Sequence, residues 1–249
     1  MTNAASSFPR LDSLQARLPV RRENLALFLD LDGTLLDIAA TPSAVVVPGD
    51  LVADLTALFD ALDGALAIVS GRDLGEIDML LSPLRLPAAG GHGATIRLPG
   101  GEREEVVTQV PETWIDSLLK LQFSRPGVLI ERKKHGVVAH FRNAPAEAAL
   151  VLQTAQGLVS EDPERFELLG GKMVIEIRPR GIGKGRAVHA FMPVTPFRGR
   201  MPVFVGDDET DEEGFEAAVE LGGVGLHVAR SFGGEPQHVR NWLKQLAQS

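Results

Sequence analysis

Leu25-Ala-Leu-Phe-Leu29 runs directly into Asp30-Leu-Asp32-Gly-Thr-Leu-Leu-Asp37. Five apolar residues without polar alternation read as a strand buried on both faces of a parallel sheet. Two carboxylates, two residues apart, stand at its carboxyl end, where open α/β sheets bind ligands. Like charges this close repel each other unless a cation or a proton offsets them. Gly33 and Thr34 then turn the chain sharply. An isolated Asp-x-Asp is commonly a solvated turn. Placed at the end of a buried strand, the same pair reads as a metal-assisted carboxylate site.

Around this strand the pattern alternates. Leu51, Leu55, Leu58 and Leu62 share a helix face that Asp50 is placed to cap and Gly64 to stop. Ala65–Val69 is a second buried strand ending in Ser70-Gly71-Arg72, and a helix begins near Asp73. Leu86–Gly93 and Ala94–Arg97 read as a further core strand and turn. After Gly100-Gly101 the pattern changes. Glu112–Leu121 is helical, and Val128–Lys133 and Val137–Arg142 form a hairpin around His135-Gly136. Pro145–Gln156 is a helix ending at Gly157, and Phe166–Leu169 and Met173–Arg178 form a second hairpin around Gly170-Gly171. The βα alternation then returns with Pro202–Val205, a helix over Glu212–Leu221, a strand over Val224–Val228 and a closing helix over Val239–Ala247. The expected architecture is α/β. A Rossmann-like core with a parallel sheet is built from residues 25–106 and 178–249, and an inserted α+β cap (αββαββ) spans 107–177. Residues 1–24 form a lead-in.

Composition narrows the function. With 249 residues and 44% hydrophobic content, the chain can bury a large core. A net charge of -8 argues against nucleic acid and anionic membrane as partners. The absence of cysteine excludes disulfides, thiolate metal sites and cysteine nucleophiles. No stretch reaches the roughly 20 apolar residues of a membrane span, and the first 24 lack the apolar core of a signal peptide. The expectation is a cytoplasmic protein acting on a small molecule. No oligomeric state is legible, and a monomer fits.

The chemistry can be weighed. A carboxylate meeting a phosphate dianion at about 4 Å is repelled by about 8 kcal/mol at an effective dielectric near 20. Uncompensated, that is about six decades of rate. Asp30 and the acidic run Asp207-Asp208-Glu-Thr-Asp211 supply hard oxygen donors, and oxygen-only ligation suits Mg²⁺. Ser70 and Gly71 offer a hydroxyl and backbone N–H groups at a helix start, which suits a phosphoryl oxygen. Lys184 lies between two glycines that let the backbone approach a ligand.

The Asp30-x-Asp32-Gly-Thr-Leu string resembles the first motif of the haloacid-dehalogenase (HAD) superfamily of phosphohydrolases. The resemblance implies that Asp30 is the nucleophile and Asp32 the acid/base. It implies a phosphate-binding role for Ser70 and a charge-neutralising, nucleophile-orienting role for Lys184. It implies that Mg²⁺ is held by Asp30, the backbone carbonyl of Asp32, and Asp207, with Asp208 and Asp211 acting at one remove.

The cap narrows the substrate. Glu131 and Lys133 share one strand face, and Lys172, Val174, Glu176 and Arg178 share another, opposite Met173, Ile175 and Ile177. Such a polar face suits sugar hydroxyls, which both donate and accept. Glu131-x-Lys133, His140-Phe-Arg142, Glu176-Ile-Arg-Pro179, Lys184-Gly185 and Gly206-Asp-Asp-x-Thr-Asp-Glu212 together resemble the trehalose-6-phosphate phosphatase family. By that match Glu131, Lys133, His140 and Glu176 contact the disaccharide. Arg72 and His92, the latter in a Gly-His-Gly turn the family shares, are expected to join them. Arg132 and Lys134 make the first cap segment more basic than the family's, and Gly91 stands where the family often has a side chain. The implied reaction is hydrolysis of trehalose 6-phosphate. Sucrose-phosphate and mannosyl-phosphate phosphatases are the near alternatives, and a non-catalytic sugar-phosphate sensor is the alternative of a different class. A receiver-type phosphoacceptor is disfavoured by the insertion and by Asp32.

Overall fold

The computed structural model describes residues 22–39, 44–106, 108–171 and 173–248. In chain order the first part carries β1 (Leu25–Leu29), α1 (Leu51–Ala61), β2 (Leu66–Val69), α2 (Leu74–Leu80), β3 (Ala88–Gly90), β4 (Thr95–Arg97) and β5 (Arg103–Glu105). The middle carries α3 (Glu112–Ser124), β6 (Leu129–Arg132), β7 (Val137–His140), α4 (Ala148–Val159), β8 (Phe166–Gly171) and β9 (Val174–Pro179). The last part carries α5 (Lys184–Phe191), β10 (Met201–Gly206), α6 (Glu212–Glu220), β11 (Val224–His227), α7 (Val228–Ser231) and α8 (Pro236–Gln248). The chain divides into two compact units, Met1–Glu105 with Gly183–Ser249, and Val106–Ile182. The second boundary falls after Ile182 and not after residue 177, because β9 runs on to Pro179 before the chain leaves its sheet. Of the lead-in, only the 3₁₀ turn Arg22–Asn24 lies within the described residues.

The larger unit is built on a sheet of order β11-β10-β1-β2-β3-β4-β5. The pairs from β11 to β3 are parallel, and β4 and β5 add antiparallel strands at one edge. The β1, β2 and β3 residues are buried throughout, as their continuous apolar runs require. Phe28 of β1 stacks on Phe197 at 5.4 Å and meets Phe191 of α5 at 5.9 Å. Each such fully buried side chain contributes about 1.5–3 kcal/mol. Arg97 is buried but paired, since its guanidinium donates to both oxygens of Asp78 and to the Leu86 carbonyl. That clamp ties β4 to the segment before β3 and anchors the hairpin that carries His92.

The smaller unit is an antiparallel sheet of order β6-β7-β9-β8 with α3 and α4 packed against it. Trp114 of α3 sets its indole edge-on to Phe166 at 4.9 Å and donates to Glu161. Ile175 and Ile177 enter this core, with Met173 packed on it, as the alternation requires. Lys172 lies outside the described residues.

Several local expectations are corrected. Asp50 stands at the N-cap of α1 in a helical conformation and makes no capping bond. Gly157 lies inside α4, because the last turn continues to Val159 on the buried side chains of Ala155 and Leu158. Gly170 and Gly171 belong to β8, and the turn falls beyond them, with Met173 taking a left-handed φ of 66°.

Candidate active site

Register places the site. Leu29 pairs with Val205 on one side and with Ile68 on the other, so the carboxyl ends of β10, β1 and β2 lie side by side. Asp207, Asp30 and Ser70 each follow one of those ends within two residues. The Asp30 N–H continues the ladder by donating to the Val205 carbonyl at 2.9 Å. Gly33 then turns the chain at φ 78°, and a side chain there would run into the Asp207 carboxylate. The glycine is what lets the loop after β1 close against the loop after β10.

One ammonium binds the cluster together. Lys184, at the start of α5, donates to Asp30 Oδ1 at 2.7 Å and to Asp211 Oδ1 at 2.5 Å. The three side chains are 3%, 6% and 0% exposed. Asp211 Oδ2 accepts the backbone N–H groups of Asp207 (2.9 Å) and Asp208 (3.1 Å). Asp208 Oδ1 accepts from the Thr210 N–H and hydroxyl, capping a short turn. Thr34 extends its hydroxyl toward Asp30 Oδ2 at 3.4 Å.

Protonation follows from burial and charge. Burial, with Asp207 adding to it, outweighs the Lys184 charge and lifts the Asp30 carboxyl to about 6. Burial and then Asp208 and Asp211 lift Asp207 to about 6. Burial and the Asp30 charge lift Asp211 to about 7. Burial also raises Asp208, but bonds from Thr210 outweigh it and leave that carboxyl below the ordinary range. Burial pulls Lys184 down, but Asp30 and Asp211 more than offset it and hold the ammonium above the ordinary lysine value. The cluster is therefore acidic and short of positive charge.

Oxygens of Asp30, Asp207 and Asp211 lie within 4.8 Å of one another, a spacing that a metal ion can bridge. Both oxygens of Asp211 are already engaged by Lys184 and by two amides, and Asp208 Oδ1 is spent on its cap. Asp30 and Asp207 are the better direct donors. Hard oxygen ligands beside raised carboxyls suit a divalent cation such as Mg²⁺.

Ser70 is buried and fixed on three sides. Its N–H donates to the Ala89 carbonyl, its carbonyl accepts from His92 N–H, and its Oγ accepts from Arg72 N–H at 3.2 Å. His92 adopts φ 55°, and its imidazole covers Gly71 so closely that a Cβ there would lie 2.6 Å from Cε1. Arg72, expected to contact substrate, gives its guanidinium to Asp32 through two bonds of 2.6 and 2.7 Å. The expectation from sequence did not include this fork, because its partners are 40 residues apart and meet only through the β1–β2 pairing. Thr34 was also missed, although a hydroxyl four residues after Asp30 was a signal.

In the smaller unit, Glu131, Val138 and Glu176 lie in line across β6, β7 and β9, on one sheet face. Lys133 donates to Glu176 at 3.1 Å, and His140 Nε2 is 2.8 Å from Glu131 Oε2. The four expected sugar contacts are thus gathered as one ion pair, Lys133–Glu176, and one hydrogen-bonded couple, His140–Glu131.

Comparison with known proteins gives the family. The trehalose-phosphatase family matches residues 28–244. The chain is 44% identical over 211 residues to the Sinorhizobium fredii protein named "Probable trehalose-phosphate phosphatase", covering 83% of this chain and 78% of that one. It is 41% identical over 208 residues to the Escherichia coli trehalose-6-phosphate phosphatase, covering 82% and 77%. The solved C-terminal domain of the Candida albicans trehalose-6-phosphate phosphatase superposes with a TM-score of 0.72 at 22% identity, over 97% of this chain and 99% of that one, a likeness of fold. With a parallel sheet carrying Asp30, Ser70 and Asp207 at its strand ends and Lys184 at the start of α5, and with a family match over nearly its whole length, the chain belongs to the trehalose-phosphatase family of HAD-like hydrolases.

Proposed function

We propose that the chain hydrolyses trehalose 6-phosphate to trehalose and phosphate through an aspartyl-phosphate. The observation that carries this reading is the buried Lys184 bonded to Asp30 at the end of β1. A carboxylate so placed is held in one orientation beside a fixed positive charge, which is what attack on a phosphate dianion needs.

An Asp30 oxygen attacks phosphorus, and the bond from phosphorus to the sugar oxygen breaks. Asp32 gives its proton to that leaving oxygen. Asp32, now ionised, takes a proton from a water that attacks the same phosphorus, and the bond to Asp30 breaks, releasing phosphate. Ser70 Oγ–H and the Gly71 N–H bind phosphoryl oxygens. Lys184 offsets their charge and keeps Asp30 aimed. Asp30, Asp207 and the Asp32 carbonyl would hold Mg²⁺, with Asp211 orienting the loop that bears Asp207. When bound, the ion supplies the positive charge that the raised carboxyls lack. Glu131, Lys133, His140 and Glu176 bind the hydroxyls of the disaccharide, exchanging their mutual pairs for bonds to sugar. The cysteine-free sequence is compatible with action in the cytoplasm.

The test is phosphate release in the presence of Mg²⁺ from trehalose 6-phosphate, glucose 6-phosphate, sucrose 6-phosphate and an aryl phosphate. The expected preference for trehalose 6-phosphate in kcat/KM is a hundredfold or more, about 2.7 kcal/mol. Comparable rates on all four would remove the disaccharide assignment. No turnover of any would remove the hydrolase.

A further inference from the structure

Arg72 is largely buried and committed to one carboxylate. Its side chain is 10% exposed, and its guanidinium meets Asp32, 39% exposed, in a two-bond fork: Nε to Oδ2 at 2.6 Å and Nη2 to Oδ1 at 2.7 Å. The arginine backbone is fixed on both sides, its N–H on Ser70 Oγ and its carbonyl accepting from Gly91 N–H. Glu76, one helical turn on, lies 4.0 Å from Nη1, while its other oxygen accepts the Asp73 N–H at the start of α2. The guanidinium is thus held from its backbone and from its far end, and both oxygens of Asp32 are held by it.

We propose that Arg72 is a positioning residue for the reaction, setting the orientation of the Asp32 carboxylate and not binding substrate itself. This rests on the proposed role of Asp32 as the proton-transferring group. A part-exposed aspartate turns freely about two bonds. Proton transfer demands approach to about 2.6–3.2 Å, and a misplacement near 1 Å can cost about a hundredfold in rate. A planar fork fixes both the position and the plane of a carboxylate, which a lysine ammonium cannot do. The base for that fork is the loop Ser70–Asp73 between β2 and α2, held by Arg72 N–H on Ser70 Oγ and by Gly91 N–H on the Arg72 carbonyl, and the same loop presents Ser70 and Gly71. One short segment thereby aligns the phosphate-binding groups and the acid/base.

The experiment is a double-mutant cycle of Arg72→Ala and Asp32→Asn, read in single turnover with trehalose 6-phosphate. Arg72→Ala should lower kcat about a hundredfold with KM changed less than about threefold. In the Asp32→Asn background the same substitution should cost less than about threefold. Added guanidinium at millimolar concentration should restore part of the Arg72→Ala rate and none of the Asp32→Asn rate. Arg72→Lys keeps the charge without the fork and should lose most of kcat as well, which keeps the test open where the alanine variant does not fold. A KM raised tenfold with kcat intact, or an equal cost in both backgrounds, would overturn the proposal and return Arg72 to the substrate. Full activity in Asp32→Asn alone would instead remove the acid/base role of Asp32, and with it the premise of this inference.

Discussion

Replacing Lys184 by Met removes one charge and keeps the length of the side chain. The loss leaves Asp30 and Asp211, 6% and 0% exposed, facing each other without the ammonium that joins them. Deleting one partner of a buried ion pair costs about 3–5 kcal/mol, mostly because the remaining charge is stranded. For a chain of this size each kcal/mol moves Tm by about 2–4 °C. The expected fall near neutral pH is therefore roughly 6–20 °C. Its pH dependence has a definite sign. Lys184 is raised in the fold, so its contribution is fully present below its ordinary value of 10.5 and is lost only as pH climbs beyond that. Across the neutral range the lysine term is flat. Asp30 and Asp211 sit at about 6 and about 7 in the fold against 3.8 unfolded. A raised carboxyl binds its proton more tightly folded, so its contribution is present below 3.8 and lost as pH rises through about 6 to 7. Without Lys184 both carboxyls move higher, and the deficit of the variant grows as pH rises. Thermal melts of both proteins without divalent cation, near pH 5.5 and near pH 7.5, measure this directly. A fall below about 3 °C near pH 7.5, or an equal fall at both values, would refute the reasoning, because the first would mean the pair is not buried and the second that the stranded charge is not the cost.

Four further outcomes follow from the same geometry. Mg²⁺ at about a hundred times its dissociation constant should stabilise the protein by about 2.7 kcal/mol near pH 7.5. The effect should be smaller near pH 5, where Asp30 and Asp207 hold protons, and calorimetric melts with and without EDTA would show it. Asp30→Asn should abolish turnover in a phosphate-release assay, whereas ordinary activity would remove Asp30 as the nucleophile. Glu176→Ala should cut kcat/KM for trehalose 6-phosphate at least tenfold more than for an aryl phosphate, and equal losses would detach the β6–β9 face from sugar recognition. Gly71→Ala places a methyl 2.6 Å from the His92 ring and should destabilise by about 1–3 kcal/mol, with His92→Ala restoring most of it, and a melt unaffected by the second change would show that the ring is not the obstacle.

The fold was legible where periodicity was strong. Leu25–Leu29 and Ala65–Val69 carry no polar residue, and only a strand covered on both faces accepts that. The antiparallel extension was not legible. Every residue of β5 is exposed, so Arg103–Glu105 has no apolar face to announce it and exists by pairing with β4. The Gly170-Gly171 turn misled for a related reason. Glycine permits a left-handed turn without requiring one, and Met173 takes that conformation two residues later.

The acidic cluster shows why residue types reach a site sooner than their roles do. By residue type alone, Asp207, Asp208 and Asp211 are three equivalent oxygen donors on one short segment, and only the family resemblance set Asp207 apart. In the fold they are separated by what already occupies their oxygens. Asp211 is filled by Lys184 from 27 residues upstream and by two amides of its own loop. Asp208 is turned to its cap on Thr210. Asp207 stands beyond both, beside the loop that Gly33 brings in from β1. None of this is periodic or local, because it depends on β10 lying beside β1 and on α5 starting where Lys184 reaches both carboxylates. The same dependence makes the cluster a reporter of the whole larger unit. Its members come from positions 30, 184, 207 and 211, so their shifted protonation exists only once both ends of the chain have assembled one sheet.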